Sequence, residues 1–242
     1  MSLKNSKIRL YFNASIAKDD DIVFNKDQTH YLSKVMRLRT GDTLEIFNGI
    51  NGAWKAKITD ISKKSANAKI ICQTQIQRNP PDLWVLFAPI KKNRTQLIIE
   101  KATELGAARI IPVKTEFTNA ERIKRENLCA HAIEAAEQCR GTFVPAVEEL
   151  TELGNLLNKW PDDRGILFCN EMLAGKKIEL PKKGIRKWAI LIGPEGGFSV
   201  SEQTKLNNNK LIFPIDLGPR ILRTDTAVVA AMSLWQKRFG DW

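Results

Sequence analysis

The stretch that decides the fold runs from Leu191 to Ala227. It opens with Ile192-Gly193-Pro194-Glu195-Gly196-Gly197-Phe198-Ser199 and closes with Leu217-Gly218-Pro219-Arg220-Ile221-Leu222-Arg223-Thr224-Asp225-Thr226-Ala227. Apolar Trp188–Ile192 and Leu211–Ile215 read as strands. Each runs into a Gly-Pro loop, and each loop runs into a helix. Glycine lets a backbone approach a ligand closely, and proline holds a loop's shape before anything binds. In a parallel sheet both loops fall at the carboxyl edge, where ligands of open α/β folds bind.

Several motifs are missing from this stretch. There is no Gly-x-Gly-x-x-Gly, which excludes a dinucleotide fingerprint, and no Gly-x-x-x-x-Gly-Lys-[Ser/Thr] phosphate loop. Ser199 is not in a Gly-x-Ser-x-Gly elbow. With Glu202 three residues on, Ser199 reads as the cap of a helix in a capping box.

The chain has 242 residues, 43% of them hydrophobic, enough for one large domain or two small ones. No apolar run reaches transmembrane length, and Met1–Lys7 holds no apolar stretch, so a soluble, cytoplasmic protein without a membrane partner is expected. Cys72, Cys129, Cys139 and Cys169 are far apart, as are His30 and His131, so no metal set is indicated and reduced thiols are expected. Net charge is +11, and it is uneven: residues 1–79 carry 14 Lys and Arg against 7 Asp and Glu. A basic excess in one region points to a polyanion, nucleic acid before membrane; a lysine-rich solvated surface is the plainer alternative.

Residues 1–79 read as a small β-barrel. Ile8–Phe12, Thr43–Phe47, Ala53–Ile61 and Ala66–Gln75 are predicted strands, with Asn48-Gly49 and Asn51-Gly52 as tight turns. Gln28–Arg37 reads as a helical insert with Tyr31, Leu32, Val35 and Met36 inward. Lys34, Arg37, Arg39, Lys63 and Lys64 cluster at its turns, as an RNA platform or as ordinary solvated charge. Pro80-Pro81 then marks a boundary, and a second domain is expected over 80–242.

From Asp82 on, strand and helix alternate, which predicts a mostly parallel sheet with helices on both faces. Leu83–Ala88, Arg109–Val113 and Gly165–Cys169 are its further predicted strands. Lys92–Leu105, with Leu97, Ile98, Ala102 and Leu105 at helical spacing, Ala120–Cys139, Thr151–Trp160 and Thr224–Phe239 are its predicted helices. Thr224–Phe239 is apolar over a broad face, Ala227, Val228, Ala230, Ala231, Leu234 and Trp235, which suits a dimer surface or plain core packing.

The two Gly-Pro motifs together resemble those of the RsmE family of 16S ribosomal RNA uridine N3-methyltransferases, of the SPOUT class. Arg9-Leu10-Tyr11-Phe12 and His30–Arg37 resemble its amino-terminal PUA-like barrel, and Glu100–Gly106 and Glu134–Cys139 its internal signatures, so the likeness covers the whole chain. The resemblance implies an α/β fold whose carboxyl-terminal part is threaded into a trefoil knot, and a homodimer with each active site near the subunit interface. It implies S-adenosyl-L-methionine (SAM) as methyl donor, and a uridine of 16S rRNA in the 30S subunit as substrate, not DNA. The donor would be held by Phe168, Glu171, Ile192, Gly193, Glu195, Gly196, Gly197, Leu217, Gly218, Ile221, Leu222 and Thr224. Arg9, Lys34, Arg37, Arg39, Lys63, Lys64 and Arg140 are the expected RNA contacts. Two positions depart from the pattern: Arg140-Gly141 reverses the family's Gly-Arg, and Asp225 stands where Glu is common.

The chemistry narrows the catalytic candidates. Methyl transfer from a sulfonium is an in-line displacement in which an enzyme mainly positions its reactants. Uridine N3 is a poor nucleophile until its proton leaves, and the anion then spreads onto O2 and O4. Arg223 is the candidate to stabilise that anion, because a guanidinium stays charged and offers several donors. Asp225 or Glu195 is the candidate proton acceptor, unless each caps a helix or holds Arg223. The alternatives are a SPOUT enzyme acting on another nucleotide, an RNA-binding ribosome-assembly factor without turnover, and a generic α/β nucleotide-binding enzyme.

Overall fold

The computed structural model describes residues 8–119, 123–175 and 185–242. The chain divides into two compact units. One takes in 1–79 with 136–144, the other 80–135 with 145–242.

The first unit is a five-stranded sheet around its own core. Strands β1 (Arg9–Tyr11), β2 (Asp21–Val23), β3 (Thr43–Phe47), β4 (Ala53–Ile61) and β5 (Ala66–Gln75) stand in the order β1-β3-β4-β5-β2. Only β1–β3 is parallel. Alternation explains the long strands: Ala56 and Ile58 of β4, and Ala66, Ala68 and Ile70 of β5, are buried, while Lys57 and Lys69 between them face out. Helix α1 (Lys26–His30) is capped by Asn25 in a box with Gln28 and continues as a π-turn over Tyr31–Val35. Leu32 is fully buried there, and Tyr31 and Met36 pack on the core. Val35, expected inward, is 60% exposed, because the π-turn rotates it off the inner face.

Arg9, expected as an RNA contact, is buried instead. It is 7% exposed, its guanidinium lies 4.2 Å over the Phe47 ring, and its Nη1 donates to the Ala136 carbonyl at 3.0 Å. Its Nε sits 2.8 Å from Glu45 Oε1, and Glu45 Oε2 in turn accepts from Thr74. Burial lowers the Arg9 pKa and Glu45 partly offsets this. The guanidinium is consumed inside the unit and is not offered to RNA.

Helix α3 (Arg125–Cys139) ends against a left-handed residue, Arg140, at φ 60°. The expected start of this helix at Ala120 falls on 120–122, outside the described residues. A helix commonly stops on a left-handed glycine, whereas this chain puts a β-carbon there. Arg140→Gly is therefore expected to stabilise the chain by roughly 1 kcal/mol. Urea unfolding checks this, and an unchanged or lower midpoint would contradict it.

The second unit is a parallel sheet. Its strands are β6 (Leu83–Phe87), β7 (Arg109–Lys114), β8 (Ala146–Val147), β9 (Thr151–Glu152), β10 (Arg164–Cys169), β11 (Lys187–Ile192) and β12 (Ile212–Ile215). The order is β12-β10-β11-β6-β7-β8, with β9 beside β7, and all pairings are parallel. Strands covered on both faces read as unbroken apolar runs, as β6 and β11 do. The helices are α2 (Lys92–Glu104), most of α3, α4 (Leu153–Asn158), α5 (Val200–Asn207) and α6 (Thr224–Phe239). Leu97 of α2 is 37% exposed, whereas Ile98 and Ala102 are fully buried.

Helix α6 buries Ala227, Val228, Ala231, Met232 and Trp235. It packs on α2 and β11. Leu234 is instead 54% exposed and Val229 36% exposed, so not all of the helix's apolar residues are buried in the core. Register fixes what matters for the site. Cys169 of β10 stands opposite Ile192 of β11 on one side and Ile215 of β12 on the other. The loops after these three strands therefore leave the same edge of the sheet together.

Candidate active site in the Gly-Pro loops

The three loops enclose a cavity of about 370 Å³. In the first, Asn170 caps the short turn Glu171–Leu173 by accepting from the Met172 amide. In the second, the Gly197 amide donates to the Pro194 carbonyl, 3.0 Å, with Gly197 left-handed at φ 71°. In the third, Asp216 Oδ1 accepts from the Gly218 amide at 2.9 Å. Two bonds tie the loops together: Gly175 N–H to the Gly218 carbonyl, 3.2 Å, and Thr224 Oγ1 to the Gly193 carbonyl, 3.1 Å. Ser199 caps α5 in the capping box with Glu202 read from the sequence. Glu202 Oε1 also accepts from the Glu116 amide at 3.0 Å, which anchors the loop after β7.

Most of the residues expected around a donor line this cavity: Glu171, Ile192, Gly193, Glu195, Gly197, Leu217, Gly218, Ile221, Leu222 and Thr224, with Arg223 among them. Asn170, Pro194, Phe198, Gln203, Ile215, Asp216 and Arg220 line it too. Two expected residues do not. Phe168 is fully buried, and its ring meets Phe198 edge-on at 5.1 Å, so it backs the cavity wall from behind. Gly196 is turned to the neighbouring loop, where a β-carbon would stand 3.2 Å from Phe117 Cβ.

Asp225 is also displaced from its expected role. It does not line the cavity. Its carboxylate takes two hydrogen bonds from Arg94, Nη2 at 2.6 Å and Nε at 3.1 Å, and Arg94 Nη1 also pairs with Glu195. Arg94 holds the Asp225 carboxyl below its ordinary range, which makes it a weaker base. The carboxylates thus hold Arg94 and leave Arg223 free. Nothing local in the sequence signals this clamp, since Asp225 is 131 residues from Arg94. The only hint is the basic run Lys91-Lys92-Asn93-Arg94 at the start of α2.

Because the Asp225 pKa is depressed, its stabilisation is present above about 3.8 and is lost as pH falls through the lower folded value. Asp225→Asn is expected to cost about 1 kcal/mol at neutral pH, and the gap to wild type should close in acid. Urea unfolding at neutral and acidic pH tests this, and a gap that widens in acid would contradict it.

The lining suits a cation with an apolar body. Ile192, Phe198, Ile215, Leu217 and Leu222 give apolar walls. Glu171, Glu195 and Asp216 supply carboxylates, Arg220 and Arg223 the only cations among the described lining residues, and no lysine is present. A cavity of this volume takes a small cofactor. Burial pushes the Cys169 thiol, at the floor, up to about 12, so the cavity holds no thiolate near neutral pH.

The expected RNA contacts Lys34, Arg37, Arg39, Lys63 and Lys64 are exposed in the first unit, and so is Arg140. The turn holding Arg39 closes on Asp42, and Asp42 and Gly41 bond Ile58 near the end of β4. Lys63 and Lys64 sit in the Ser62–Ser65 turn that follows the same end.

Comparison with known proteins agrees with this geometry. The family model for an RNA methyltransferase domain matches residues 77–236, and that for an RNA methyltransferase PUA domain matches 24–71. Ribosomal RNA small subunit methyltransferase E of Buchnera aphidicola subsp. Schizaphis graminum is 32% identical over 244 residues, covering 96% of this chain and 97% of that protein. Its namesake from Rickettsia conorii is 31% identical over 232 residues, covering 93% of each. The crystal structure of a ribosomal RNA small subunit methyltransferase E from Neisseria gonorrhoeae, bound to S-adenosyl methionine, superposes with a TM-score of 0.87 at 26% identity, over 97% of this chain and 99% of that one. The chain belongs to the ribosomal RNA small subunit methyltransferase E family.

Proposed function

We propose that this protein methylates N3 of a uridine in 16S rRNA of the small ribosomal subunit, with S-adenosyl-L-methionine as donor. The observation that carries this is the three-loop cavity, whose apolar walls, carboxylates and glycine backbone fit the donor. The Neisseria relative is bound to S-adenosyl methionine, which supports the same assignment. When bound, the donor supplies a methyl group on a sulfonium.

The chain's own residues then do the rest. Glu171, Glu195 and Asp216 set a field that favours a cation. Ile192, Leu217 and Leu222 exclude water from an apolar ring. Arg223 stabilises the uridine anion and so promotes loss of the N3 proton. Of the two candidate proton acceptors only Glu195 lines the cavity, and it would take the proton on giving up its pairing with Arg94. The neutral Cys169 thiol does not compete for the methyl group.

The exposed basic turns of the first unit dock the RNA backbone. The chain works in the cytoplasm as a homodimer, with Val229 and Leu234 of α6 covered by the second copy, and its carboxyl-terminal part is threaded as a trefoil knot. Among the described residues no helix is long and apolar enough to cross a membrane. Calorimetric titration with the donor and with its demethylated product tests the assignment. Saturable binding of both is expected, and binding of neither, with or without 30S subunits, would overturn it.

A further inference from the structure

Beside the donor cavity lies a second hollow of about 530 Å³, within the second unit, that the foregoing leaves without a role. Pro194 and Glu195 line both, so this short segment is the wall between them. The far side is built from the start of α2, from Phe117 and Asn119 after β7, and from Ile123, Lys124, Asn127 and Leu128 at the start of α3.

Among the described residues its charge is one-sided. Lys91, Lys92 and Lys124 line it and are exposed, and none is paired with a carboxylate among the described residues. Its one described acidic residue is Glu195, which Arg94 already holds. Phe117 lines it as well, with a large ring left 43% exposed and its Cβ seated by Gly196. Buried Ile90 and Leu128 complete an apolar floor. A lone ammonium cluster would suit any anion. An exposed aromatic ring over an apolar floor beside three ammonium groups suits a nucleotide, with base on ring and phosphate on lysines.

We propose that this hollow binds a nucleotide of the RNA strand adjacent to the one that is methylated. The reacting base must face the donor cavity, and the Pro194-Glu195 wall keeps a base in the second hollow from doing so. A neighbouring nucleotide lies one step along the strand, on the other side of that wall from the reacting base. The proposal rests on the methyltransferase reading of the first cavity.

Fluorescein-labelled short oligouridylate, titrated into the full chain at several salt concentrations, tests the site. Phe117→Ala keeps the Cβ against Gly196 and is expected to raise Kd roughly tenfold. Lys92→Ala with Lys124→Ala is expected to flatten the salt slope by about 1.4, the value for two phosphates of a single strand. Donor affinity, measured separately by calorimetry, stays at the wild-type value in both. Unchanged RNA affinity and salt slope in variants that still bind donor overturn the proposal. So does equal loss, on Phe117→Ala, of an abasic strand of the same length, since the ring then meets no base. A wild-type chain that binds RNA through these residues but takes no donor upholds the RNA site and sinks the methyl-transfer reading.

Discussion

Replacing Arg223 with alanine is expected to slow methyl transfer by roughly two to three orders of magnitude, the usual cost of removing one preorganised donor from a developing anion. Donor affinity should stay within about twofold, because the change removes an interaction made mainly in the transition state. The structure gives this residue an unusual freedom. It is the N-cap of α6, at φ −66° and ψ 153°, yet its side chain makes no capping bond. It lines the cavity and is exposed, and among the described residues no carboxylate holds it. Arg94 shows the opposite case, with both nearby carboxylates committed to it. Lysine at 223 should restore part of the rate, since it keeps charge but loses the planar fork. Single-turnover transfer of labelled methyl to 30S subunits measures this, and near-normal turnover in the alanine variant would remove Arg223 from the mechanism.

Gly193→Ala should have the second largest effect, on the donor step instead. A β-carbon there would stand 2.5 Å from Phe198 Cε2, and two further ring atoms lie at 3.0 and 3.1 Å. The ring can give way only into the cavity it lines, because on its other side it abuts the fully buried Phe168. Overpacking of this kind costs about 1–3 kcal/mol. The strain also falls on the Gly193 carbonyl that receives Thr224 Oγ1, the bond joining the second and third loops. Donor Kd should rise at least about tenfold, by the loss of roughly one such positioned contact. Adding Phe198→Ala makes room and should recover part of the affinity. Wild-type affinity in Gly193→Ala would mean that donor binding does not depend on the packing of this loop.

What was legible in the sequence follows the range over which each cause acts. The capping box of Ser199 with Glu202, the extent of α6 and the alternation of β4 and β5 are local patterns, and they stand as read. Strands β2, β8 and β9 have two or three residues each, too short for a period to show. Depth is not written in residue type: Phe168 and Phe198 are alike in sequence, but only Phe198 reaches the cavity. The same holds for Gly196 and Gly197, neighbours that face different loops. Arg9 looks like a surface cation until β3 brings Glu45 and Phe47 beside it. The partners of Arg94 were out of reach, since its two carboxylates lie 101 and 131 residues away.

The central claim is the transfer of a methyl group to one uridine. Incubating the full chain with unmethylated 30S subunits and isotope-labelled S-adenosylmethionine, then digesting the 16S rRNA for nucleoside mass spectrometry, tests it most directly. Label is expected in N3-methyluridine at a single position, appearing roughly two to three orders of magnitude more slowly with Arg223→Ala. Label in a ribose-methylated or any other nucleoside, or none in RNA that the protein demonstrably binds, would contradict it.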